Sequence, residues 1–138
     1  MSRREEVLIV LYRPGPQFLV ALRSPERHGY WNPLAGGIEA GEDPETAARR
    51  ELEEESGLAS PLRIQALPLE LAYVRPDGSE VTVHSYLAEA PAGFEPVLDD
   101  EHVDYRWCSA SDADALLAYP EPREAYALAA AVLEAEGS

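Results

Sequence analysis

Apolar and polar positions divide the chain into runs of different period. Residues 7–12 (VLIVLY) are apolar without a break, which predicts a strand buried on both faces. Pro14, Gly15 and Pro16 predict a turn, and residues 17–22 (QFLVAL) a second strand, so 7–22 reads as a hairpin. Residues 24–35 (SPERHGYWNPLA) have no period and read as a loop. Residues 62–75 (LRIQALPLELAYVR) predict one or two strands broken by Pro68. A turn over 75–79 joins them to 80–88 (EVTVHSYLA), which alternates as a half-buried partner strand does. Residues 89–100 hold two prolines and no period, so they predict a long loop of the kind that often carries function. Residues 101–108 (EHVDYRWC) lead into a final strand. Ser109 or Ser111 caps a short helix, and Pro122 opens a last one whose alanine and leucine spacing marks a packing face.

Between the loop at 24–35 and the strand at 62–75 lies a helix of a different kind. Asp43 suits an N-cap, Pro44 the first helical position and Gly57 the left-handed residue after the end. At helical spacing Glu51, Glu54 and Glu55 share an arc of roughly 100°. Ala48 and Leu52 lie beside that arc and are placed to pack on a sheet. Arg50 stands four residues before Glu54, so it is placed to orient that carboxylate. Three carboxylates on one arc repel one another, and a hard divalent cation removes the conflict. All-oxygen ligands of this type suit Mg²⁺, with Mn²⁺ as a substitute.

Charge narrows the partners. The formal net charge is −15. Such a surface repels a nucleic-acid polymer, where a basic patch is expected. A small phosphorylated substrate remains compatible, because a cation and a few local arginines neutralise it. A single cysteine, Cys108, excludes an internal disulfide and reads as a buried thiol. The first residues carry no secretory pattern and no run long enough to span a membrane. The expectation is one cytoplasmic domain over 1–138, without repeats, as a monomer or homodimer.

The helix sits inside a longer fixed pattern. Gly36, Glu42, Arg50, Glu51, Leu52, Glu54, Glu55, Gly57 and Leu58 fill G-x5-E-x7-R-E-U-x-E-E-x-G-U, where U is a bulky aliphatic residue. Seven positions admit one residue each, so chance matches are on the order of one in a billion per start site. The stretch resembles the Nudix box, and the chain looks like a Nudix hydrolase. Many members have P-G-G ahead of the box where this chain has Leu34, Ala35, Gly36 and Gly37.

The resemblance implies an α/β fold, an α/β/α sandwich with a mixed β-sheet, and hydrolysis of a diphosphate bond by metal-activated water. It implies Glu51 and Glu55 as metal ligands, Glu54 as an adjacent ligand or base, and Glu101 as a further ligand or base from a late loop. Arg50 would orient the carboxylates, with the base left open among Glu51, Glu54 and Glu101. Gly36 and Gly37 would shape the loop that meets phosphate. Short features, Ala21–Arg23, Glu101–Trp107 and Arg123–Ala125, look like those of Nudix enzymes acting on dihydroneopterin triphosphate or deoxynucleoside triphosphates. By that likeness Arg23 and His102 would touch phosphate or the ring system, and Trp31 would recognise a base or pack. Tyr73 stands at the offset where dinucleoside polyphosphate hydrolases often carry a tyrosine, so those compounds and nucleotide sugars are the rival substrates. A non-catalytic nucleotide sensor is the alternative of another class.

Overall fold

The computed structural model describes residues 3–137. In chain order the elements are β1 (Arg3–Arg13), β2 (Gln17–Arg23), a 3-10 turn (Pro25–Arg27), β3 (Trp31–Asn32), β4 (Leu34–Gly37), α1 (Pro44–Ser56), β5 (Arg63–Val74), β6 (Glu80–Glu89), β7 (His102–Cys108), α2 (Ala110–Leu116) and α3 (Pro120–Glu136).

The strands form one mixed sheet in the order β3-β2-β1-β6-β5, with β4 beside β1 and β7 beside β2. β1 runs parallel to β6 from Arg3/Glu80 to Tyr12/Glu89. Its other edge is shared. Glu6–Ile9 pair antiparallel with β4, and only Tyr12 and Arg13 pair with β2. The 7–22 hairpin therefore exists at its turn, and the strands then part to admit β4.

The unbroken apolar run in β1 follows from helices covering both faces. Val7, Ile9 and Leu11 join Leu19, Leu34, Ala48 and Leu52 in the core under α1. Leu8, Val10 and Tyr12 join Phe18, Val20, Leu117 and Tyr126 in the core under α2 and α3. The Tyr126 hydroxyl donates to the Leu19 carbonyl at 2.6 Å and ties α3 to β2.

Several sequence expectations shift in detail. β5 is one strand, and Pro68 sits where its register against β6 slips between Ala66 and Glu70. A proline without an N–H is tolerated at such an irregularity. The 24–35 loop contains the 3-10 turn, β3 and the start of β4. α3 starts at Pro120, two residues before Pro122. Ser109 is the cap of α2, accepting from the Asp112 N–H at 3.2 Å. Cys108 is half-buried, and its burial raises the thiol pKa. Among the described residues no helix is long and apolar enough to cross a membrane.

Leu52 is fully buried where α1 meets β1. Leu52→Ala should lower unfolding free energy by about 2–5 kcal/mol, as a cavity-forming core truncation does. Urea denaturation monitored by circular dichroism checks this.

Candidate active site

Local chemistry fixes α1 at both ends. Asp43 accepts from the Thr46 N–H at 2.8 Å, Pro44 occupies the first turn, and Gly57 closes the helix at φ +81°. The acidic arc is thereby set against β4. Glu51 and Glu55 point inward, with only 2% of the Glu55 side chain exposed. Glu55 accepts from the Ala35 N–H at 3.2 Å.

Gly36 is required here for space. A Cβ on this residue would stand 2.2 Å from the Glu51 carboxylate carbon. Gly36 and Gly37 lie in β4, so the loop freedom expected of them falls to Gly41, at φ +80°.

Arg50 organises the loop between β4 and α1. Its guanidinium donates to both Glu42 oxygens at 2.8 and 2.9 Å, to the Gly37 carbonyl at 2.9 Å and to Glu51 Oε1 at 2.8 Å. Glu54, the carboxylate expected from helical spacing, is held only at 3.4 Å. The Arg50 hydrogen bonds and the Glu39 N–H hold the Glu42 carboxyl down at about 2. Arg50 is locked in its charged form by Glu42 first and then Glu51.

Glu55 is perturbed the other way. Burial pushes its carboxyl far above the ordinary carboxylate range, and the hydrogen bond and negative charge of Glu51 push it further. The Ala35 N–H opposes the shift and Asp99 adds to it. Glu55, Asp99 and Glu101 each bring a carboxylate oxygen to within 4.8 Å of the others. Crowded, partly desolvated oxygen donors of this sort are destabilised without a cation and satisfied by a hard divalent one. The donor set fits such an ion.

One cleft of about 700 Å³ is lined by Glu51, Glu55, Glu101, Gly36 and Gly37 together with Glu6, Arg23, Arg27 and Arg75. A mostly apolar recess of about 370 Å³, walled by Leu8, Leu71, Val83, Tyr119 and Pro122, shares Tyr30, Asn32 and Tyr73 with it. Tyr73 donates to Glu6 at 3.0 Å, and Arg75 pairs with the same carboxylate at 2.6 Å.

At Glu54 and His102 the geometry departs from the sequence expectation, and at Trp31 it takes the packing alternative. Glu54 is not part of the cleft wall, and 56% of its side chain faces solvent. Trp31 packs against the core under α3, with the Arg106 guanidinium 5.0 Å from its ring. Strand alternation turns it away from the cleft, and Tyr30 takes the position facing the site. His102 does not line the cleft: 3% of its side chain is exposed, its Nδ1 lies 2.9 Å from Asp99 and its Nε2 3.9 Å from Glu55. It is placed to orient carboxylates rather than to meet a ligand.

Asp99, Arg27 and Arg75 were not legible in the sequence. Asp99 lies in the long 89–100 loop, whose length was the one available signal. Arg27 and Arg75 sit in turns, where charge is ordinary, and only the fold brings them together.

The family model described as "NUDIX domain" matches residues 2–129. The chain is 34% identical over 121 residues to an octanoyltransferase of Myxococcus xanthus, covering 80% of this chain. It spans only 31% of that relative's length. It is 28% identical over 124 residues to a dihydroneopterin triphosphate diphosphatase of Haemophilus influenzae, covering 81% of this chain and 78% of that protein. Among solved structures, a C. elegans Ap4A hydrolase in a binary complex superposes with a TM-score of 0.83 at 27% identity, over 96% of this chain and 98% of that one. Because the family match runs through every strand and helix that builds the carboxylate cleft, this chain belongs to the Nudix family and is a hydrolase of phosphorus-containing anhydrides.

Proposed function

We propose that the protein is a Mg²⁺-dependent pyrophosphohydrolase of a nucleoside triphosphate or a close relative, of the dihydroneopterin triphosphate or deoxynucleoside triphosphate type. The observation that carries this reading is one cleft lined both by the carboxylates Glu51, Glu55 and Glu101 and by the three guanidinium groups of Arg23, Arg27 and Arg75. On a surface of net charge −15 that concentration of arginine suits a polyanion small enough to enter the cleft.

Glu55, Asp99 and Glu101 would hold the cation, with Glu51 beside them. A bound divalent cation neutralises the diphosphate and lowers the pKa of water. The chain itself does the positioning. Arg23, stacked 5.3 Å from the Tyr30 ring, meets phosphate. Arg50 holds Glu51 and the Gly37 carbonyl in place. His102 orients Asp99 from behind. Of the candidate bases, Glu51 and Glu101 line the cleft, which favours either over Glu54 as the group that would take the water's proton. The apolar recess has the lining to accept a heterocycle.

A second reading, dinucleoside polyphosphate hydrolysis, is favoured by Tyr73, which lies in the wall shared by cleft and recess. A panel of both substrate classes with Mg²⁺ or Mn²⁺, with products identified in ¹⁸O-water, separates the two. No turnover on either would sink the pyrophosphohydrolase reading.

Gly36→Ala should displace the Glu51 carboxylate while leaving the fold intact, because the atom met is the end of a flexible side chain. Cation affinity by calorimetry should fall about tenfold or more, as for loss of a supporting group, with Tm in chelator little changed. Glu55→Gln should lower kcat about 100-fold or more.

The same substitution should change stability with the opposite sign. In the cation-free protein Glu55 keeps its proton when folded but ionises near 4.5 when unfolded. Its contribution to stability is complete below that value and is lost as pH rises toward the higher folded value. In chelator at pH 8, Glu55→Gln should therefore melt above the parent. Added Mg²⁺ should raise the parent's Tm and leave the variant's nearly unmoved.

A further inference from the structure

The cleft arginines are not equally committed. Arg75 is tied to Glu6 at 2.6 Å. Arg23 donates to the Arg27 carbonyl at 3.3 Å and lies over Tyr30. Arg27 instead faces the adjacent Glu101, with Nη1 3.4 Å from Glu101 Oε1. Arg27 is 50% exposed and Glu101 36% exposed at the side chain. Glu101 is also one of the three carboxylates gathered for a cation.

The backbones beneath this pair are stitched together. The Ser24 N–H donates to the Glu101 carbonyl at 2.8 Å, and the Arg27 N–H and Gly29 N–H both donate to the Ser24 carbonyl, at 2.8 and 3.1 Å. The Arg23–His102 register ties the strand ends on either side. The two side chains are thus held within reach of each other, and a rotation of either one breaks the contact without moving the loops. An exposed pair of this kind contributes little stability, so exchanging partners costs little.

We propose that Arg27 and Glu101 form an exchangeable latch. In the free protein Arg27 occupies the Glu101 carboxylate and competes with the cation. When the polyphosphate chain enters, Arg27 transfers to a phosphate oxygen and Glu101 turns to the cation. The latch couples the two ligands: phosphate bound to Arg27 frees a cation ligand, and a cation bound to Glu101 frees a phosphate ligand. By reciprocity each ligand raises the affinity for the other. Arg27 is then a substrate-binding residue, and the ligand class is a polyphosphate carried with a divalent cation. This inference rests on the reaction proposed above.

The test measures Mn²⁺ binding alone and inorganic triphosphate binding in saturating Mn²⁺, by calorimetry, for the parent, Arg27→Gln and Glu101→Gln. Parent turnover is assayed on the substrate panel in parallel. Arg27→Gln should bind Mn²⁺ alone about twofold to fivefold more tightly, since its competitor is gone. It should bind triphosphate about tenfold or more weakly, since a charge-assisted hydrogen bond is lost. Glu101→Gln should weaken Mn²⁺. Opposite signs for the two ligands in Arg27→Gln are the signature, because a general loosening of the loop would weaken both. Unchanged or weaker Mn²⁺ binding, or unchanged triphosphate binding, overturns the latch even where the parent turns over. A parent that neither binds Mn²⁺ nor turns over removes the proposed reaction and the latch with it.

Discussion

The burial of the Glu55 carboxylate beside Glu51 is the constraint around which the site is built. A group 2% exposed has lost nearly all its water, and an ionised carboxylate there needs compensation from the protein or a ligand. The protein supplies one N–H, from Ala35, and a buried imidazole 3.9 Å away. It also brings Glu51 and Asp99 close, which makes the deficit worse. Stability is given up locally for a place where positive charge is strongly favoured. Gly36 belongs to the same constraint, since any side chain there would take the space the Glu51 carboxylate occupies.

Strain of that kind persists only on a rigid support, and Arg50 is much of that support. One planar guanidinium satisfies Glu42 with two hydrogen bonds, holds the Gly37 carbonyl and anchors Glu51. A lysine offers no such fork, so this position is not open to a simple exchange of cations. Arg13 plays a similar part for the 89–101 loop. It donates to the Phe94 carbonyl and to Glu95, and Glu95 also accepts from Tyr105 and Trp107. The loop that carries Asp99 and Glu101 is therefore fixed to β1 and β7 despite having no regular structure.

The sheet beneath supplies the reference frame. β1 is packed on both faces, so neither α1 nor α3 moves without disturbing a core. The parting of β1 and β2 after two paired residues makes the opening that β4 fills. β4 then brings the Ala35 N–H and Gly36 against α1. Glu51 and Glu55 come from the helix and the backbone that meets them from the strand, so the site lies at their junction.

Much of this was readable in the chain because it depends on local chemistry. Asp43, Pro44 and Gly57 bound α1 through backbone groups within a turn of themselves, and the run at 7–12 is unbroken because both of its faces are covered. The fixed spacing of Gly36, Arg50, Glu51 and Glu55 pointed to a metal-assisted hydrolase of an anhydride for the same reason, since one helix carries most of the pattern. The remainder required three dimensions. Which carboxylate Arg50 grips depends on where the 37–42 loop folds back, and Glu42 and Glu51 are preferred to Glu54. Tyr30 faces the cleft and Trp31 the core because a short strand, β3, forms where only a loop was expected. Arg27, Arg75 and Asp99 stand 17, 19 and 43 residues from the ends of the helix, and only the tertiary fold brings them to the site. Periodicity and caps record contacts a few residues apart, whereas the substrate-facing wall is made of contacts between distant segments, which only the tertiary structure decides.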